Sequence, residues 1–304
     1  MFLYKTPFDM VMVKLYLVCE GEKQKFMITS TKNRKIVELR KLSQRKHRRA
    51  QKRFAVEGLQ LLAMALDSGH TPLDVFFCEE NFAGETAPAL LTRLRNAGGA
   101  LHPVTPAVMH AISERDTPQG IIATFPLFAV SPAEILAAQK GNALLLVLDR
   151  LQDPGNLGTL IRTADAVGAA GVVLLEPCVD PFDPKTVRGS MGSLFNIPIA
   201  QTKDLAGLAT ALRRDGYKIT GADGYQGDLP WDMASEALSG RVALVLGNEA
   251  RGLSLDVRAR LTHWVRLPLL GKAESLNVAI AGGVLMYQWV QKNRWIQTRW
   301  MLNF

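Results

Sequence analysis

The sequence predicts an α/β protein: a parallel-sheet domain over the second half of the chain, preceded by a smaller α/β domain. Three observations carry this. Apolar runs at 143–148 and 242–246 show no polar alternation, the pattern of strands buried on both faces of a parallel sheet. Each such run leads into a turn bearing glycine or asparagine and then into helical spacing, so strand and helix alternate. The chain has 304 residues, 48% of them apolar, which is enough for two ordinary cores.

Taken in order, residues 1–27 are expected to be an extension, disordered or set ahead of a true start at Met27. Residues 11–19 are mildly apolar, but Asp9, Lys14 and Glu20 interrupt or bound them and no small-residue cleavage site is clear. Residues 28–126 read as the small α/β domain. Within it, 32–51 is a basic, helix-compatible stretch and 54–57 a short strand entering a helix through Leu66. A strand at 73–78, a helix at 87–97 and a closing strand at 120–125 follow. Residues 126–141 contain two prolines and little pattern beyond a short helix, and 127–142 are expected to be a linker. From 143 to 291 the rhythm becomes strand and helix, with strands at 143–148, 171–175, 197–200, 217–221, 242–246 and 264–267. A last helix from Ser275 to about Gln291 carries Ala279, Ala281, Gly282 and Gly283, small residues that permit close helix approach. It is expected to pack against another subunit or to thread tightly into its own. Residues 292–304 are left as a tail.

Net charge is +8, which points toward a polyanionic partner. The 3 cysteines, Cys19, Cys78 and Cys178, form no CxxC pair, so neither a disulfide framework nor a zinc site is indicated, and a reducing cytoplasm fits. No apolar run reaches the roughly 18 residues that a membrane span requires.

Three strand ends present polar groups, the usual construction of an α/β ligand site. In the first, Asp153-Pro154-Gly155-Asn156-Leu157-Gly158, the proline and glycine make a turn and Asn156 is suited to cap the helix that begins near Leu157. Arg162 lies six residues further on, nearly two helical turns, so both are expected to face one cleft. A cap and a surface arginine would account for each alone; the apolar neighbours Leu160, Ile161 and Ala164 make a fully solvated arginine less natural. In the second segment, Gly247-Asn248-Glu249-Ala250-Arg251-Gly252, a glycine directly after a buried strand lets a ligand or backbone approach closely. An Asn and a Glu there go beyond an ordinary connection. The third, Pro268-Leu269-Leu270-Gly271-Lys272-Ala273-Glu274-Ser275-Leu276-Asn277, is expected to be a buried loop-to-helix junction with Ser275 as the cap, and such polar side chains need partners. No GxGxxG, Walker loop, HExxH or GxSxG occurs, which argues against a dinucleotide oxidoreductase. Gly189-Ser190-Met191-Gly192 matches the GxxG of a KH module, but its surroundings do not.

Together, over about 143–291, these segments resemble the SpoU (TrmH) family of RNA ribose 2′-O-methyltransferases, within the SPOUT superfamily. Residues 187–198, Val187-Arg188-Gly189-Ser190-Met191-Gly192 onward, look like that family's intermotif segment. Residues 28–126 are similar to the RNA-binding domain related to ribosomal protein L30e that often precedes the catalytic domain. The resemblance implies a trefoil-knotted α/β fold, which no spacing argument supplies, and S-adenosyl-L-methionine as cofactor. It places Asn156, Arg162, Glu249, Ser275 and Asn277 at catalytic and RNA-positioning positions. Leu246, Gly247, Leu267, Leu269 and Leu276 fall at the cofactor site. Ala279 departs from a frequent serine.

The implied reaction moves a methyl group to a ribose 2′-oxygen and must remove the hydroxyl proton. Arg162 is the base proposed in the family; a guanidinium normally stays protonated, so it either accepts that proton when locally deprotonated or positions a phosphate that does. No metal is called for. The run Lys35, Arg40, Lys41, Arg45, Lys46, Arg48, Arg49, with Glu38 the only acid between Lys32 and Arg53, is expected to contact RNA phosphates. The resemblance further implies a homodimer packed through the last helix. Its target would be RNA, with 23S ribosomal RNA, and a guanosine in it, favoured over transfer RNA. The alternatives are a transfer RNA ribose methyltransferase and a catalytically silent RNA-binding member of the fold.

Overall fold

The structure is a computed structural model and describes residues 27–294 apart from Met233; the expected extension ahead of Met27 and most of the expected tail lie outside the described residues. The chain divides into two compact units between Leu127 and Phe128.

In the first unit a four-stranded sheet has the order β1-β4-β2-β3, with β1 Arg53–Glu57, β2 Asp74–Phe77, β3 Ala100–Pro103 and β4 Ile121–Pro126. β4 runs antiparallel to both β1 and β2, while β2 and β3 are parallel. The basic stretch is two helices, α1 Arg34–Lys41 and α2 Arg45–Gln51, broken at Leu42. Ile36, Leu39 and Leu42 pin it to a core completed by Phe76, Val104, Val108, Met109 and Ile122. Helices α3 Leu59–Asp67, α4 Thr86–Asn96 and α5 Pro106–Ile112 complete the unit. α5 begins on the Thr105 hydroxyl, which accepts the Val108 amide, with Pro106 at the first helical position.

The second unit begins earlier than expected. The segment read as a linker contains α6 Pro132–Ala137, started by a capping box between Ser131 and Glu134. Ile135 and Leu136 are buried in this unit's core, so the segment is packed structure and not a linker. Its burial pairs with no sequence periodicity long enough to be read. Six parallel strands follow in the order β10-β8-β9-β5-β6-β7: β5 Leu144–Asp149, β6 Gly171–Leu175, β7 Ile199–Thr202, β8 Lys218–Asp223, β9 Val242–Leu246 and β10 His263–Arg266. β5, β6 and β9 are buried at every position, as their unbroken apolar runs require.

Helix α7 Pro154–Ala166 packs on α8 Pro184–Gly189 and on α11 Val278–Arg294; α9 Leu205–Arg214 and α10 Leu255–Arg258 are the remaining helices. The α7–α8 crossing is backbone against backbone, since a Cβ on Gly158 would stand 2.8 Å from the Thr186 carbonyl oxygen and 2.9 Å from Gly189. The small residues of α11 serve its own unit: a Cβ on Gly282 would meet Leu160 and Leu246 at 2.6 Å. Among the described residues no helix is long and apolar enough to cross a membrane.

Candidate active site at the strand ends

Because all six strands are parallel, β5, β9, β8 and β10 deliver their outgoing loops to one edge of the sheet. Asp149 ends β5 buried, and its carboxylate accepts the Ser254 amide at 2.6 Å, joining the loop after β9 to the end of β5. Arg150 follows with φ 58°, the left-handed region, and its carbonyl accepts Asn248 Nδ2 at 3.0 Å. A non-glycine residue there persists only when its surroundings hold it. Asn248 is buried and does most of that holding. Its Oδ1 also accepts the amides of Ala250 at 3.1 Å and Arg251 at 3.0 Å, and its backbone pairs with Gly252. Gly247 sits where that loop doubles back, with the Gly252 carbonyl carbon 2.3 Å from any Cβ it could carry.

Glu249, at the tip of this loop, accepts from the amides of Gln152 (3.3 Å) and Asp153 (3.1 Å) and from Nδ2 of Asn156 (3.2 Å) and Asn248 (3.4 Å). Asn156 in turn accepts Asn277 Nδ2 at 2.9 Å, and Asn277 Oδ1 accepts the amides of Ala279 at 2.9 Å and Ile280 at 3.3 Å. This is a directed relay. Backbone amides can only donate, so they fix which end of Asn277 is oxygen; Asn277 fixes Asn156, and Asn156 faces Glu249 with its nitrogen. Each amide nitrogen has a second hydrogen that this relay does not use.

The relay corrects two expectations. Asn156 does not cap α7; the Asp153 carboxylate does, accepting the Asn156 amide at 2.7 Å, which leaves the Asn156 side chain for the relay. Ser275 does not start the last helix either. α11 begins at Val278, Asn277 takes the capping role, and Gly271 through Asn277 are exposed and not a buried junction.

An open cavity of about 600 Å³ lies along these loops. Leu246, Gly247, Leu267, Leu269 and Leu276 line it together, as do Glu249, Ser275 and Asn277. Arg162 does not: it stands exposed on α7 with Thr159 and Ala166 and outside the cavity wall. Six residues advance a helix by about 600°, which leaves Arg162 roughly 120° around the axis from Asn156, so the two cannot share a face. Sequence reasoning passed over Asp149, Asp153, Tyr225 and Arg258; polar residues directly after strand ends were the available signal.

In the first unit Lys35, Arg40, Lys46 and Arg49 are exposed, while Lys41 and Arg45 are half-buried and Lys41 bonds Glu38 at 3.0 Å. Arg48 is a correction. It is 2% exposed and donates through Nη1 to the carbonyls of Leu42 (2.8 Å) and Ser43 (2.9 Å), closing the break between α1 and α2. Near them, Asp74 gathers Arg53 at 2.6 Å, His102 at 2.6 Å and Lys35 at 3.6 Å. The His102 hydrogen bond, aided by the charges of Lys35 and Arg53, outweighs burial and holds the Asp74 carboxyl down at about 2.

Comparison with known proteins follows the same division. Residues 143–287 match the model of the SpoU rRNA Methylase family, and residues 33–123 match the MRM3-like substrate binding domain. An uncharacterized tRNA/rRNA methyltransferase of Synechocystis sp. is 34% identical over 272 residues, 88% of this chain and 94% of the relative. The 23S rRNA (guanosine(2553)-2′-O)-methyltransferase RlmP of Bacillus subtilis is 34% identical over 260 residues, 86% of this chain and 97% of the relative. Among solved structures, an AdoMet-bound rRNA methyltransferase from Sinorhizobium meliloti superposes with a TM-score of 0.76 at 32% identity, covering 87% of this chain and 97% of that one. The SpoU methyltransferase AviRb from Streptomyces viridochromogenes, in complex with AdoMet, superposes with a TM-score of 0.77 at 27% identity, covering 88% and 100%. The α/β fold expected from the resemblance is the fold these proteins share.

Proposed function

The chain belongs to the SpoU rRNA methylase family and is an S-adenosylmethionine-dependent RNA 2′-O-methyltransferase; from that premise we propose that it methylates a guanosine ribose of 23S ribosomal RNA, working as a homodimer. The observation that carries the site assignment is the Glu249–Asn156–Asn277 relay set at the rim of a cavity with apolar walls. S-adenosylmethionine, when bound, supplies a methyl group on a sulfonium, already activated for in-line displacement.

The cavity suits that molecule. Leu246, Val265, Leu267, Leu269, Leu276 and Leu285 offer apolar walls to an adenine ring. Among the described residues, 269–273 make no backbone-to-backbone hydrogen bond, which leaves their amides and carbonyls for a ligand's polar edge. The spare N–H groups of Asn156 and Asn277, with the exposed Ser275 hydroxyl, orient the acceptor ribose, and Glu249 holds Asn156 in register. Arg162 holds an RNA phosphate near the acceptor, its planar guanidinium offering paired N–H donors to the phosphate oxygens. The 2′-proton then leaves to a phosphate oxygen or water.

Two features support the homodimer. Ile280, Val284 and Tyr287 are 57%, 39% and 56% exposed and follow at steps of four and three, so they form one apolar stripe on α11. Helix α7, which carries the exposed Arg162, packs on α11. A second copy seated on this surface covers the stripe and brings Arg162 into the interface. Lys35, Arg40, Lys41, Arg45, Lys46 and Arg49 attach the RNA by its phosphates and set its register without reading bases.

The substrate is tested by offering labelled S-adenosylmethionine with separated ribosomal and transfer RNA from cells that lack this enzyme. Label in large-subunit ribosomal RNA is the expected result. Label confined to transfer RNA would overturn the substrate assignment and leave the chemistry standing.

A further inference from the structure

One side chain on the cavity is explained by no packing within the chain. Tyr225, in the loop after β8, lines the cavity and is 81% exposed. An aromatic ring left in water beside a concave site forgoes a large burial term, and such rings commonly meet a ligand. The loop that carries it is held at both ends. Asp223 Oδ1 accepts the amides of Tyr225 at 2.9 Å and Gln226 at 3.3 Å, while its Oδ2 accepts Arg258 Nη1 at 3.3 Å. Arg258 in turn lies 4.7 Å from the centroid of the Trp264 ring. Past the tyrosine, Gly227 adopts φ 109° and presses on β10, where a Cβ would stand 2.4 Å from the Trp264 carbonyl carbon. Asp228 is bonded to β10 on both sides, its amide donating to Trp264 and its carbonyl accepting the Arg266 amide, each at 3.0 Å. The backbone is therefore fixed and only the ring stands out. Across the cavity mouth the phenol donates to the Glu274 carbonyl at 3.4 Å, in the loop that leads into Ser275 and Asn277.

We propose that Tyr225 closes over the adenosine end of bound S-adenosylmethionine, its ring stacked on the adenine and its hydroxyl holding the 267–277 loop across the cavity mouth. The proposal rests on the reading of this cavity as the cofactor site. Strand order decides between the cofactor and an RNA base as occupant. Two relay members, Asn156 and Glu249, stand on the loops after β5 and β9, and Asn277 reaches them from the segment after β10; β9 separates β5 from β8. Strands are spaced by about 4.8 Å, so Tyr225 is rooted roughly 10 Å along the sheet edge from the strand that leads to Asn156. The methyl group must be presented at the relay, where the acceptor ribose docks. A cofactor with its sulfur there, lying along the strand ends, carries its adenine toward β8 and β10 and under the tyrosine. A target base is tethered to the acceptor ribose on the β5 side.

The test is calorimetric titration of S-adenosylmethionine into the full chain, for the wild type, Tyr225→Phe and Tyr225→Ala, with the KM for RNA measured in parallel. Loss of a stacked aromatic ring weakens binding of a base by roughly tenfold. Tyr225→Ala is expected to weaken cofactor binding by about that factor and Tyr225→Phe by much less, with the RNA KM unchanged in both. Unchanged cofactor affinity in Tyr225→Ala would overturn the proposal alone, and a raised RNA KM with unchanged cofactor affinity would assign the ring to the target base instead. A wild-type chain that bound no cofactor would remove the reading of the cavity and the proposal with it. The ring is exposed, so none of these substitutions threatens the fold.

Discussion

Asn156 owes its role to its neighbour. Asp153 relieves it of capping α7, and the relay to Glu249 and Asn277 then sets the amide to within one orientation. Asn156→Ala is expected to lower turnover by about 100-fold, the scale of losing one placed hydrogen-bond donor, with cofactor affinity nearly unchanged. Asn277→Ala should do the same, and the double variant should be little worse than either, since the two act as one unit. Single-turnover rates of methyl transfer check both statements. Asp74 belongs to the same scale. Its carboxyl is held at about 2, below its ordinary 3.8, which corresponds to about 2 kcal/mol of stability. Because the folded value is the depressed one, that stability is complete above pH 4 and is lost as pH falls toward 2. Asp74→Asn is therefore expected to destabilise the first unit at pH 7 and to differ little from wild type near pH 2, as measured by urea unfolding at each pH.

At the scale of elements, the crossing of α7 and α8 depends on Gly158. A methyl group there meets fixed backbone, with no flexible side chain to give way. Gly158→Ala is expected to cost about 2 kcal/mol in urea unfolding, within the usual range for overpacking. Gly271→Ala, where a Cβ meets nothing within 4 Å, should change stability little. The elements legible in the sequence were those with one dominant cause. β5, β6 and β9 could be read because burial on both faces leaves unbroken apolar runs, and β7, β8 and β10 followed from the rhythm of alternating strand and helix. β3 could not, since Ala100–Pro103 is exposed at its first residue and half-buried at the rest, and so carries no pattern. Helix α6 could be read as a short helix but not as part of the core, because two buried residues, Ile135 and Leu136, are too few to show a period. In the site, the residues at strand ends were legible by type and place, but which of them caps and which reaches across was not. That choice depends on contacts between segments about a hundred residues apart, such as Glu249 with Asn156, and on turns of a helix that spacing alone misjudged at Arg162. The trefoil knot that the family resemblance implies has no local signature at all.

At the scale of the whole molecule, a net charge of +8 and the exposed cations of α1 and α2 set the chain against a polyanion. Lys46→Ala and Arg49→Ala are each expected to reduce the slope of log affinity against log salt by about 1, with equal effects on unrelated RNA sequences. Arg48→Ala should instead lower the stability of the first unit, because its guanidinium closes the break between the two helices. Assembly has its own test. Tyr287→Glu, on the exposed stripe of α11, is expected to turn a sedimenting dimer into a monomer and to abolish methyl transfer while sparing RNA binding by the first unit. The position of the transferred methyl group decides both the reaction and the substrate. The direct measurement is to incubate ribosomal RNA with labelled S-adenosylmethionine, digest it to nucleosides and identify the labelled one by mass, with Asn156→Ala run beside the wild type. Label recovered as 2′-O-methylguanosine, and nearly absent with the variant, is the result expected. Label on a nucleobase, or on ribose at an undiminished rate with Asn156→Ala, would contradict it.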